Sequence, residues 1–118
     1  MADRDTTVQE LIEEVTRFQA ERDWAKYHSP KNLAMGLAIE TGELLEHFLW
    51  LTEEESRRVK EDPTAVAAVA EELSDVLTYL LNLALALKID VSDAFRQKMR
   101  RNGEKYPAET YRGRYKVE

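Results

Sequence analysis

Apolar residues recur along this chain at intervals of three and four, and nowhere alternate over a strand-length run. Val8, Leu11, Ile12, Val15 and Phe18 form the first such series, opened by Thr7-Val8-Gln9-Glu10, which has the form of a capping box. The spacing predicts a helix from about Thr7 to Lys26. Tyr27-His28-Ser29-Pro30 interrupts it, and Ser29 as N-cap with Pro30 at the first helical position suits a new start. A second helix is expected through Leu33, Leu37, Leu44 and Phe48 to about Leu51. Thr52-Glu53-Glu54-Glu55 repeats the capping-box form and opens a short helix or turn ending near Asp62. Asp62-Pro63 then starts the most apolar helix, about Pro63 to Lys88. Asp90-Val91-Ser92-Asp93 caps a fourth, reaching Asn102 or Gly103, and beyond Tyr106-Pro107 the pattern fades into a polar tail. These signals predict an all-α fold, four main helices in a bundle, with residues 1–107 as the domain and 108–118 as its tail.

Composition narrows the function. A chain of 118 residues is one domain with a small core, which oligomerisation would supplement. The absence of cysteine removes disulfides, thiolate nucleophiles and zinc–thiolate sites. The N-terminal stretch is polar, unlike a signal peptide, and the longest nearly apolar run, Val76 to Leu87, is too short to span a bilayer. The expectation is a cytoplasmic protein without a membrane partner. A net charge of −6 argues against a nucleic-acid polymer as ligand. The charge is uneven, −11 over residues 1–95 and +5 from Arg96 onward. Such a chain can hold a cation and an anion side by side, or simply present solvated helix faces.

The third helix carries the sharpest chemical signal. Glu72, Asp75, Tyr79 and Asn82 fall at i, i+3, i+7 and i+10, one narrow polar stripe among Leu73, Val76, Leu77, Leu80, Leu81, Leu83 and Leu85. A helix apolar on most sides is buried, and two carboxylates at that depth need partners to stay ionised. Two arrangements fit: an exposed stripe bonded to Lys or Arg, or a buried one around a divalent cation. Glu40 and Glu43, also three apart, offer a second pair on the second helix, so facing helices can converge four carboxylates. An all-oxygen site selects a hard ion, Mg²⁺ first and Mn²⁺ as substitute, and points to metal-assisted phosphoryl chemistry.

An anion cradle is available in Lys98, Asn102 and Lys105, at i, i+4 and i+7 near the end of the fourth helix, with Tyr106 next. Lysines there also suit the helix macrodipole without any ligand. Trp24, His28 and Trp50 flank the second helix, where aromatic faces can stack on a nucleobase or serve as core. His47 reads as a packing residue. A di-iron bundle is set aside, because neither His28 nor His47 stands three residues after a glutamate.

Taken in order, these segments resemble the MazG-like all-α nucleotide pyrophosphohydrolases, especially the dCTP pyrophosphatase branch. The resemblance rests on Glu21-Arg22-Asp23-Trp24, His28-Ser29-Pro30-Lys31-Asn32-Leu33, Glu40-Thr41-Gly42-Glu43-Leu44-Leu45-Glu46, Glu71-Glu72-Leu73-Ser74-Asp75-Val76-Leu77, and Lys98-Met99 through Asn102 to Lys105-Tyr106-Pro107. It covers most of residues 8–107. The family commonly has an apolar residue after Glu46, where this chain has His47. The resemblance implies Mg²⁺-dependent conversion of a nucleoside triphosphate to monophosphate and pyrophosphate, with pyrimidine deoxynucleotides such as dCTP as substrate. It implies metal ligands at Glu40, Glu43, Glu72 and Asp75, base contacts at Trp24, His28, Trp50 and Tyr79, and phosphate contacts at Lys98, Asn102, Lys105 and Tyr106. Glu46 and Glu71 are the candidate bases. A homo-oligomer, dimer or tetramer, is implied as well. The alternatives are the same chemistry on dUTP, a noncanonical dNTP or phosphoribosyl-ATP, and a non-enzymatic helical oligomerisation module.

Overall fold

The computed structural model describes residues 1–116, which are all-α, with no strand among them. In chain order the helices are α1 (Ala2–Asp5), α2 (Val8–Glu21), α3 (Pro30–Glu46), α4 (Glu53–Arg57), α5 (Pro63–Ala86), α6 (Val91–Lys105) and α7 (Ala108–Tyr111). Single 3₁₀ turns occupy Ala25–Tyr27 and Val59–Glu61. The four long helices, α2, α3, α5 and α6, are those the spacing predicts. The chain divides into two compact units, Met1–Lys88 and Ile89–Glu118.

The caps work as short-range chemistry demands. Ser29 accepts a hydrogen bond from Asn32 N–H at 3.1 Å, and Asp90 one from Asp93 N–H at 2.9 Å. At Thr52 the box closes in both directions, with Glu55 accepting from Thr52 N–H at 3.0 Å. That bond holds the Glu55 carboxyl below its usual range. At Thr7 the forward bond from Glu10 N–H forms at 3.1 Å.

The boundaries differ from expectation where the chain turns left-handed without glycine. α2 ends at Glu21, not near Lys26, because Asp23 takes a φ of +54°. Asp23 N–H then reaches Ala20 O at 3.2 Å and Trp24 N–H reaches Gln19 O at 3.0 Å, the paired bonds of a Schellman ending. Trp24 accordingly folds back on Phe18, ring edge to face at 5.7 Å. α5 stops at Ala86 in a related way, with Lys88 at φ +55°. α3 ends at Glu46, and turns carry the chain on to Trp50. Residues 108–111, expected as tail, form one helical turn.

Within Met1–Lys88, α5 packs against both α3 and α2. Gly36 of α3 lies against Tyr79 of α5, and His47, the C-cap of α3, lies beside Glu72. The partners run forward on α3 and backward on α5, so the two helices are antiparallel. The same register sets Leu33 opposite the turn of Leu81 and Ala84, and these three are the buried apolar residues among those described. α5 is not covered on all sides as its composition suggests, because Leu73, Leu77, Leu80 and Leu85 stay 40–53% exposed in the single chain.

Candidate metal and nucleotide site

The antiparallel register of α3 and α5 decides which carboxylates meet. Glu40 and Glu43 leave one face of α3, three residues apart. Glu72 faces them from α5, so that one carboxylate oxygen from each of the three lies within 4.8 Å of the others. Carboxylates grouped this closely on facing helices are the kind of oxygen donors that would hold a hard divalent cation. Asp75, one turn beyond Glu72, is exposed and outside this triplet, but its charge reaches Glu40.

The electrostatics expose what the cluster lacks. The Glu40 carboxyl is pushed up to about 7, first by burial, then by its hydrogen bond to Glu43 and by repulsion from Glu43, Asp75 and Glu72. Glu40 Oε2 and Glu72 Oε2 are buried with no hydrogen-bond partner among the described residues. Within Met1–Lys88 no Lys or Arg reaches these groups, and the nearest basic atom is His47 Nε2, 3.9 Å from Glu72 Oε1. Oxygen donors that carry excess negative charge and orphaned lone pairs fit a hard divalent cation. His47 thus sits at the edge of the cluster, where its sequence pattern suggests only packing.

A second feature lies along the same stripe of α5. A cavity of about 130 Å³ is lined by Phe18, Gln19, Trp24, His28, Tyr79 and Asn82. The Schellman ending of α2 brings Trp24 there. His28 follows because its Nδ1 lies 2.6 Å from Gln19 Oε1, a pair in which a protonated Nδ1 donates. Tyr79 owes its position to Gly36, since a Cβ at that position would fall on the Tyr79 ring. Gly36, Gln19 and Asn82 are absent from the sequence-based site. Gln19 carries no motif, and Asn82 appears only as the last member of the stripe.

The remaining candidates stand elsewhere. Trp50, 87% exposed after the end of α3, does not line the Trp24 cavity. Glu46 and Glu71 are exposed on their helices. In the unit Ile89–Glu118, α6 carries Lys98, Asn102 and Lys105, and Tyr106 caps it. Lys105 Nζ sits 5.3 Å from the Tyr106 ring centroid, and Tyr106 meets Tyr111 edge to face at 5.2 Å. None of the described helices is long and apolar enough to cross a membrane.

Known proteins resemble this chain in sequence and in fold. The dCTP pyrophosphatase 1 of Bos taurus is 40% identical over 107 residues, covering 91% of this chain and 63% of the relative. That of Homo sapiens is 42% identical over 102 residues, covering 86% and 60%. The chain therefore spans a little under two thirds of the length of these relatives. The crystal structure of a pyrophosphatase from Archaeoglobus fulgidus DSM 4304 superposes with a TM-score of 0.77 at 42% identity, covering 84% of this chain and 91% of that one. The profile of the MazG-like family matches residues 36–116, which include both acidic pairs and all of α6. With sequence, fold and acidic helix pair in agreement, the chain belongs to the MazG-like family.

Proposed function

We propose that this protein is a Mg²⁺-dependent nucleoside triphosphate pyrophosphohydrolase that converts a dCTP-like pyrimidine deoxynucleoside triphosphate to its monophosphate and pyrophosphate. The observation that carries the reading is the convergence of Glu40, Glu43 and Glu72 with two buried, unpartnered oxygens. Family membership supports it, as do relatives that are themselves named dCTP pyrophosphatase and pyrophosphatase.

In this reading Glu40, Glu43, Glu72 and Asp75 hold the ion, with Mn²⁺ as substitute. A divalent cation there supplies neutralisation of phosphate charge and acidification of a water, the two needs of an in-line displacement at phosphorus. Glu40 must give up its proton before it ligates, since only the carboxylate binds. Trp24 and Tyr79 flank the base, and the ring of His28, held by Gln19, closes that pocket. Lys98, Asn102, Lys105 and Tyr106 bind phosphate oxygens. Glu46 or Glu71 takes the proton of the attacking water. Trp50 adds a further aromatic face to the base, outside the Trp24 cavity. The half-exposed leucines of α5 support a homo-oligomer, and nucleotide-pool cleaning in the cytoplasm is the corresponding role.

The deciding experiment incubates the protein with individual dNTPs, with and without Mg²⁺, and measures monophosphate and pyrophosphate. Mg²⁺-dependent release of both is expected. Orthophosphate release indicates a different reaction, and no turnover together with no Mg²⁺-induced thermal shift would leave a helical oligomerisation module.

A further inference from the structure

The interior of the α2–α5 cavity holds more polar equipment than stacking on a base requires. Asn82 is 6% exposed and Gln19 8% exposed, and they are the buried polar residues among those described. Both line the same cavity. Gln19 has a partner in His28, which orients its amide. Asn82 has none: its Oδ1 is buried without a hydrogen-bond partner among the described residues. An unpaired carboxamide oxygen costs free energy on folding, and such groups mark places where a ligand or an ordered water completes the structure.

Size and position say which ligand. A cavity of about 130 Å³ is close to the roughly 150 Å³ that admits a benzene ring in an engineered core. It takes one six-membered ring, not a fused pair. Asn82 lies two turns beyond Asp75 on the polar stripe of α5, about 10 Å along the helix axis, a span that the sugar of a nucleotide bridges. A carboxamide also matches the edge of a pyrimidine, with one donor and one acceptor side by side. Turned one way it meets the ring nitrogen and amine of cytosine, and turned by 180° it meets the imide of uracil.

We propose that the Asn82 carboxamide determines base specificity by pairing with the edge of a single pyrimidine ring seated between Trp24 and Tyr79. Gln19, fixed by His28, is the second polar contact. This rests on the pyrophosphohydrolase reading above. The size of the cavity excludes a purine, and because the Asn82 amide can turn, it selects a 4-substituted ring over a bare one and is indifferent between 4-amino and 4-oxo substituents.

The test compares dCTP, dUTP, dATP and the triphosphate of 2-pyrimidinone deoxyriboside, which lacks the C4 substituent, on wild type and Asn82→Leu. For wild type, kcat/KM for dCTP and dUTP should agree within about 10-fold, with the pyrimidinone and dATP roughly 10- to 100-fold lower, the range one edge contact gives. In Asn82→Leu the preference for dCTP over the pyrimidinone should collapse to within about 3-fold, whatever the overall rate, because no edge contact remains to discriminate. An unchanged preference overturns the proposal. If the variant does not fold, wild type alone decides, since equal kcat/KM for dCTP and the pyrimidinone overturns it too. A binding arm separates the two readings. Thermal stabilisation by dCMP that Asn82→Leu abolishes upholds the base contact even if no triphosphate is hydrolysed, whereas turnover with unaltered selectivity upholds only the enzyme.

Discussion

Two glycines on α3 should respond to the same substitution with opposite sign. Gly36 and Gly42 both lie within Pro30–Glu46, where alanine is preferred over glycine by roughly 1 kcal/mol in a helix interior. At Gly42 a Cβ meets nothing within 4 Å, so Gly42→Ala should stabilise by about 0.5–1 kcal/mol. At Gly36 the new methyl falls on the Tyr79 ring, and overpacking of this kind costs roughly 1–3 kcal/mol. With the helix preference offset, Gly36→Ala should be neutral to about 2 kcal/mol destabilising, leaving a gap of about 1–3 kcal/mol between the variants. Urea denaturation at one fixed protein concentration reads this gap as a difference in midpoint at constant slope. Repeating Gly36→Ala on a Tyr79→Ala background should restore the gain seen at Gly42, because the clashing ring is gone. Equal stabilisation by both single variants would refute the close approach of α3 to Tyr79. Nucleotide binding follows the same logic, since a displaced Tyr79 narrows the cavity it lines and should raise KM.

Other outcomes test the acidic cluster and the caps. Glu40→Gln should lower turnover by roughly 100-fold or more, beyond the 10–100-fold typical of groups that merely support a ligand, with helicity retained; Asp75→Asn should behave alike, and near wild-type rates in either would remove these residues from the site. The raised Glu40 group, about 7 when folded against 4.5 as an ordinary carboxyl, favours the metal-free fold in its protonated form. That contribution is complete below pH 4.5 and lost as pH rises through about 7, so metal-free stability should fall over this interval while the Mg²⁺-induced thermal shift grows. A Mg²⁺ shift that is flat from pH 5.5 to 8 would contradict the cluster. Thr52→Ala removes the capping box of α4 and should cost about 1 kcal/mol without altering turnover, which thermal melts and a rate assay check together.

Local chemistry wrote most of the helices into the chain. Ser29-Pro30, Asp62-Pro63 and Asp90 start α3, α5 and α6 where their capping groups dictate, because a cap acts over three residues and needs no distant partner. The spacing of Glu40 with Glu43, and of Glu72 with Asp75, likewise fixes each pair to one face of its helix. The end of α2 was not legible, because Asp23 enters the left-handed region without the glycine that usually signals it.

Which acidic residues come together is a different kind of fact. It depends on the antiparallel register of α3 on α5, and register follows from interdigitating side chains remote in sequence, Gly36 against Tyr79 among them. That register placed Glu72 with Glu40 and Glu43, left Asp75 at the edge, and set His47 beside the cluster. Packing of α2 on α5 gathered Gln19, His28 and Asn82 around one cavity while Trp50 stayed outside it. The sequence by itself determined the helices and the faces that bear charge, since both depend on neighbours within a turn. Only the tertiary structure decided which faces meet, because packing complementarity between distant segments has no period that can be read along the chain.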